Sequence, residues 1–201
     1  MRKIAALYGG SSQHYRTLNE PKYRQYLQDI VYLPELADTP LSSFDVVLVT
    51  SRLHRGLMDQ ARDKLKAYVE EGGTVVAMTP LPDGWLTQLK WEFRPTNFWW
   101  WLDKDASSGL VQLKPEHDLF RYISMGDATW HYHGVFWPKA NDEVVIATED
   151  GGAVLFTCRE GKGSWIITTL DPDFHFGSYF MPAAEKFLDG FLPWLAEGNI
   201  R

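Results

Sequence analysis

Apolar runs and polar breaks divide the chain into a strand-rich first part, an irregular middle and a second strand-rich part. Lys3–Tyr8 is a short apolar run that stops at Gly9-Gly10, the form of a parallel strand feeding a loop. Tyr23–Leu27 is expected to be helical, and Ile30–Leu33 to form a short second strand. Phe44–Thr50 (FDVVLVT) is apolar and rich in β-branched residues, so both of its faces are expected to lie under helices. Over Leu57–Glu71 apolar residues recur at Leu57, Ala61, Leu65 and Tyr68/Val69, which is the helical period, and Gly72-Gly73 supplies the C-terminal stop. Thr74–Met78 is the next strand, and strand, helix and strand in this span make a right-handed βαβ unit.

From Pro80 to Asp118 the pattern is irregular and rich in Pro and Trp. Strand-like runs return at Glu143–Thr148, Ala153–Cys158 and Ser164–Thr169. The turns Asp150-Gly151-Gly152 and Glu160-Gly161-Lys162-Gly163 between them predict antiparallel pairing. Pro182–Ala196 is a closing helix with Ala184, Phe187, Leu188, Phe191, Leu192 and Leu195 on its core face, and Pro193 is expected to bend it or end it early. The expectation is one α/β domain over residues 1–201: an open, mainly parallel sheet with helices on both faces and a late antiparallel extension.

Ligands of open α/β sheets bind beyond the carboxyl ends of the strands. That edge is expected to gather Gly9, Gly10, Ser11, Ser12, Ser51, Arg52, Thr79 and the segment Asp171–His175. Gly10 and Ser11 suit either a tight turn or an anion cradle, and Arg52 suits either a carboxylate or phosphate partner or a solvated loop.

Composition narrows the partners. With 45% hydrophobic and 23% charged residues the chain has enough apolar material for a proper core. A net charge of −6 removes the global electrostatic case for nucleic acid or an anionic membrane. No window approaches the ~18 apolar residues of a membrane span, and the run at the N-terminus is too brief for a signal sequence. The single cysteine, Cys158, excludes an intrachain disulfide and fits a reducing compartment, so a cytoplasmic location is expected. In NFWWWLD, residues 97 to 103, an extended backbone would turn Phe98 and Trp100 to one face and Trp99 and Trp101 to the other. Such rings suit packing over the sheet, contact between subunits in a homo-oligomer, or the flat faces of sugar rings, which makes Trp100 a candidate ligand contact.

Three blocks carry a family likeness: LSSFDVVLVTSRLHRGLMDQARDKLKAYVEEGGTVVAMTP, EGKGSWIITTLDPDFHFG, and the closing helix through FLPWL. Together they resemble the class I glutamine amidotransferase-like superfamily, in particular its ThuA-like branch and the trimerisation domain of certain β-galactosidases. The resemblance implies a flavodoxin-like sheet and, for the β-galactosidase branch, a non-catalytic assembly role. Active amidotransferases of this fold carry a Cys on a strained strand-to-helix elbow, a His after the last sheet strand, and a Glu two residues beyond it. Here the matching strand ends in Thr79-Pro80, His175 matches the histidine, and Gly177 stands where the Glu would be. The resemblance therefore implies a scaffold without glutaminase chemistry.

His175 needs other partners if it is to act. His131 and His133 in WHYHGVFW would share one face of an extended segment, and Asp171, Asp173 and His175 form a second alternating set. Histidines with carboxylates either complete a divalent metal site or form the polar rim of an aromatic wall. Two functions follow. One is a non-catalytic module that binds a small, carbohydrate-type ligand or assembles subunits, with no cofactor. The other is a hydrolase or isomerase of carbohydrate-type substrates using His175 with Asp171 and Asp173, with or without metal.

Overall fold

The computed structural model describes residues 1–82, 84–86, 89–95, 107–130, 132–179 and 181–200. The parallel half begins with β1 (Ile4–Tyr8), α1 (Ser12–Asn19), α2 (Pro21–Arg24) and β2 (Leu27–Tyr32). It continues through β3 (Val46–Val49), the long α3 (Arg55–Glu70) and β4 (Thr74–Met78). The second half contains β5 (Lys90–Phe93), β6 (Leu110–Gln112), α4 (Met125–Ala128), β7 (Gly134–Trp137), β8 (Glu143–Thr148), β9 (Ala153–Glu160) and β10 (Gly163–Thr168). It closes with α5 (Pro172–Gly177) and α6 (Ala183–Glu197).

Among the described residues these strands form one sheet in the order β2-β1-β3-β4-β10-β9-β7-β5, with β8 paired to β9 and β6 to β8. Strands β1 to β4 and β10 run parallel, and β9 turns back on β10 antiparallel. The sheet is thus mixed in the expected place, and the extension is larger than the pattern indicated. The irregular middle contributes β5 and β6, whose short, half-exposed runs carry little periodicity to read.

Alternate residues of the central strands feed two separate cores. Ile4, Ala6, Val46, Leu48, Val76, Met78 and Ile166 face α6, with Phe187, Leu188, Phe191 and Leu195 against them. Ala5, Leu7, Val47, Val49, Val75, Ala77 and Ile167 face α3, against Met58, Ala61, Leu65 and Val69. Burial on both faces is why these strands read as unbroken apolar runs.

Three expectations need correction. The helix near Tyr23 is shorter and earlier than Tyr23–Leu27, because Pro21 sets its first turn and Leu27 already pairs in β2. Pro193 does not end α6, which runs on to Glu197. Buried Leu192, Trp194, Leu195 and Ala196 anchor its last turns to the core, and tertiary packing outweighs the proline. Beyond β10 the chain does not open into an extended loop, since Pro172 takes the first helical position of α5 with Asp171 as its N-cap residue. Among the described residues no helix is long and apolar enough to cross a membrane.

Candidate functional site

The carboxyl edge of the sheet brings the ends of β3 and β10 side by side. β3 delivers Ser51 and Arg52, and β10 delivers Asp171 at the start of α5. The helical turn changes which side chains meet. Asp171 and His175 are four residues apart and share a face of α5, with His175 Nε2 3.3 Å from Asp171 Oδ1. Asp173 lies between them in sequence and points elsewhere, so the expected Asp171/Asp173/His175 alternation is not formed.

Arg52 meets Asp171 from the other strand. Its Nε and Nη2 donate to Asp171 Oδ2 at 3.0 and 2.7 Å. Its guanidinium carbon lies 4.4 Å from the centroid of the Phe174 ring. The backbone of Arg52 has φ +55°, the left-handed region that costs a residue with a Cβ roughly 1 kcal/mol or more, and its N–H donates to Pro80 O at 2.7 Å. His133, just ahead of β7, completes the group, with its Nε2 3.2 Å from Asp171 Oδ1 and its ring stacked at 11° on that of His175. Trp130 presents an edge contact to His175 at 5.9 Å between centroids.

Asp171 is fully buried, whereas the Arg52 side chain is 34% exposed and that of His133 14%. Burial alone would raise the Asp171 pKa, but hydrogen bonds from His133 and His175, and the charge they carry, hold it below the ordinary carboxylate range. His133 Nε2 is also 3.0 Å from Arg52 Nη2. One nitrogen cannot accept from Arg52 and donate to Asp171 in the same tautomer, so the tautomer of His133 selects its partner.

A second buried network lies beneath. Asp173 Oδ2 accepts the Ser51 backbone N–H at 2.7 Å and stands 3.1 Å from His14 Nε2, while Ser51 Oγ is 3.5 Å from the same nitrogen. The residue types are those of a hydrolytic triad, but the geometry is not. A working histidine uses one ring nitrogen for the carboxylate and the other for the hydroxyl. Here both partners crowd Nε2, and all three residues are buried. The network ties α1, β3 and α5 together. Nothing in the sequence around His14 and Ser51 signals this pairing, because both sit among ordinary loop and helix residues.

The remaining sequence candidates are distributed as follows. Thr79 is buried, with its N–H and its hydroxyl both donating to Thr168 O, and it does not have the left-handed backbone of an elbow. A shallow apolar pocket lined by Leu81, Leu86, Leu89, Trp91 and Phe136 opens beside it. Gly10 turns the chain at φ +93° under the ring of Tyr32. Ser11 caps α1 by accepting the His14 N–H. Cys158 lies in β9, where burial, aided by Asp142 and Glu160, pushes its thiol up to about 12. Gly177 is packed against α1. His131 and Trp100 lie outside the described residues.

No family model matches the chain, and no curated protein matches its sequence. Solved structures match its fold. A glutamine amidotransferase from Thermotoga maritima superposes with a TM-score of 0.62 at 7% identity, covering 97% of this chain and 98% of that one. A cytoplasmic protein from Salmonella typhimurium matches with a TM-score of 0.59 at 12% identity, covering 96% of this chain and 98% of its own. The cold-adapted β-galactosidase from Rahnella sp. R3 matches with a TM-score of 0.51 at 15% identity over 94% of this chain, which corresponds to 32% of that enzyme. At these identities the likeness shows the fold, a flavodoxin-like α/β sheet of the amidotransferase type.

Proposed function

We propose that this chain is a non-catalytic binding or assembly module on an amidotransferase-like scaffold, taking a small carbohydrate-type ligand at the carboxyl edge of its sheet. One observation carries the reading: the buried Asp171 carboxylate is matched by Arg52 on one oxygen and by His133 and His175 on the other. The histidine of the scaffold is thereby engaged with a fixed carboxylate, and neither Thr79 nor Ser51 offers an accessible nucleophile. The partly exposed Arg52 guanidinium, at the carboxyl edge of the sheet, suits the hydroxyl and carboxylate oxygens of sugars and sugar acids. A cytoplasmic homo-oligomer is part of the same proposal, and the Salmonella and β-galactosidase likenesses support it as analogies.

The test is a thermal melt of the metal-stripped protein against sugars and sugar acids, with light scattering for the oligomeric state. A ligand at 100 times its dissociation constant contributes about 2.7 kcal/mol, which for this size raises the melting point by about 5–10 °C. The shift is expected in wild type and lost in His133→Ala. Absence of any shift together with a monomer overturns the reading.

A second reading, a hydrolase or isomerase of carbohydrate-type substrates, is favoured by the contacts of Asp171 with both histidines, since a carboxylate that orients an imidazole prepares it for proton transfer. Turnover lost in His175→Ala would select it.

A further inference from the structure

We infer that His133, Asp171 and His175 form a binding site for one divalent first-row transition ion of the Zn²⁺ class. Each offers one ligand atom, and these atoms lie within 4.8 Å of one another. Two imidazole nitrogens and one carboxylate oxygen are the three-ligand protein set such ions take in sites whose fourth position goes to an exogenous ligand.

The spacing also fits a shared ion. Charge-assisted N–H to carboxylate bonds close to about 2.7–2.9 Å, as the Arg52–Asp171 contact does. The two histidine nitrogens instead stand 3.2 and 3.3 Å from Asp171 Oδ1. Ligand atoms bonded at about 2.1 Å to a common ion are separated by about 3.0 Å at right angles and by about 3.4 Å at the tetrahedral angle. Both observed separations fall inside that interval.

Arg52 is compatible with the ion because it occupies the other oxygen. Its Nε and Nη2 hold Asp171 Oδ2, which orients the carboxylate so that Oδ1 faces the two histidines, an outer role of the kind that metal sites need. The contact between Arg52 Nη2 and His133 Nε2 must give way on loading, since that nitrogen then bonds the ion. Asp171 and Arg52 cancel in charge, so the loaded site keeps the full charge of the ion. An exogenous ligand to that ion would therefore be an anionic oxygen donor such as a carboxylate. The site goes beyond the proposed binding role and does not depend on it.

The test strips the full-length protein with a chelator and titrates it with Co²⁺, following visible d–d absorption, and then with Zn²⁺, followed by elemental analysis after gel filtration. About one ion per chain is expected, with Zn²⁺ displacing the Co²⁺ bands. His133→Ala, the more accessible change, and His175→Gln are each expected to weaken Co²⁺ binding at least about tenfold. Circular dichroism confirms the folding of each variant, and the wild-type titration stands even where the buried His175 variant does not fold. Less than about a tenth of an ion per wild-type chain, or equal affinity in wild type and folded His133→Ala, overturns the assignment. A sugar acid that shifts the melt of stripped protein while Co²⁺ fails to bind removes the metal site and leaves the proposed binding role standing.

Discussion

The carbonyl oxygen of Gln13 stands 1.9 Å from the position a Cβ on Gly177 would occupy. Helix α1 lies so close on α5 that only a hydrogen fits between them. The contact is reinforced by Thr17 Oγ1 donating to Asp173 O at 2.6 Å. Here α1 fills the space that any side chain at residue 177 would need. Gly177→Ala is expected to lower stability by about 2–3 kcal/mol through overpacking, and Gly177→Glu by more. Gly126→Ala, in a site where the nearest atom is 3.5 Å from the new Cβ, is expected to be neutral or slightly stabilising. Urea unfolding of the three variants checks the contrast.

Arg52 combines an unfavourable backbone with a favourable side chain, and two substitutions separate them. Arg52→Ala removes one partner of a buried carboxylate while keeping a Cβ at φ +55°. Arg52→Gly removes the same partner and relieves the backbone. Both variants are expected to be less stable than wild type by about 1–3 kcal/mol, a range reduced for the partial exposure of Arg52. The glycine variant is expected to be the more stable of the two by about 1 kcal/mol. Equal stability would show that the left-handed backbone costs nothing here. Denaturant midpoints measured side by side decide it.

Asp173 acts as structure. Its carboxylate accepts the Ser51 backbone N–H and meets His14, both in the interior. Asp173→Ala leaves a buried amide donor and a buried imidazole without that acceptor, and is expected to cost about 2–4 kcal/mol. Calorimetry should show a correspondingly lower melting temperature. If the melt is unchanged, the network does not hold α5 to β3.

Cys158 is expected to resist alkylation by iodoacetamide at pH 8 in the folded protein and to react on unfolding, because burial pushes its pKa up to about 12 from an ordinary 9.0. The folded state therefore binds more protons than the unfolded one between those two values. Its contribution to stability is fully present below pH 9 and declines as pH rises toward 12. At pH 10.5 the loss from this group is about 2 kcal/mol. Cys158→Ala should flatten the alkaline limb of stability measured by urea unfolding.

The parts of the fold that announce themselves in sequence are those buried by apolar side chains. β3, β4, β8, β9 and β10 are each built around an apolar run, and α3 and α6 carry clean helical stripes. α1 escapes detection because it packs by polar residues: its buried positions are His14, Thr17 and Leu18, and the first two serve Asp173 and its neighbours rather than an oily face. α5 escapes for another reason. A six-residue helix has too few turns to show a period, and Asp171-Pro172 reads equally as a turn or as a helix start. Arg52, Asp171, His133 and His175 are all visible as chemistry-bearing residues. What the sequence withholds is their pairing, since Arg52 and Asp171 are 119 positions apart and meet only because β3 and β10 end at the same edge.

Strand β4 has its second neighbour very late in the chain. Thr74 lies beside Ser164, 90 positions later, with their hydroxyls 3.3 Å apart. As the chain emerges from the ribosome, β1 to β4 can assemble with their helix while β4 still presents a bare row of amides and carbonyls along an apolar strand. That edge is a template for any other extended segment, including the same edge of a second nascent molecule. The pairing of β10 with β4 covers that edge, and so closes the interval in which β4 can pair with another chain.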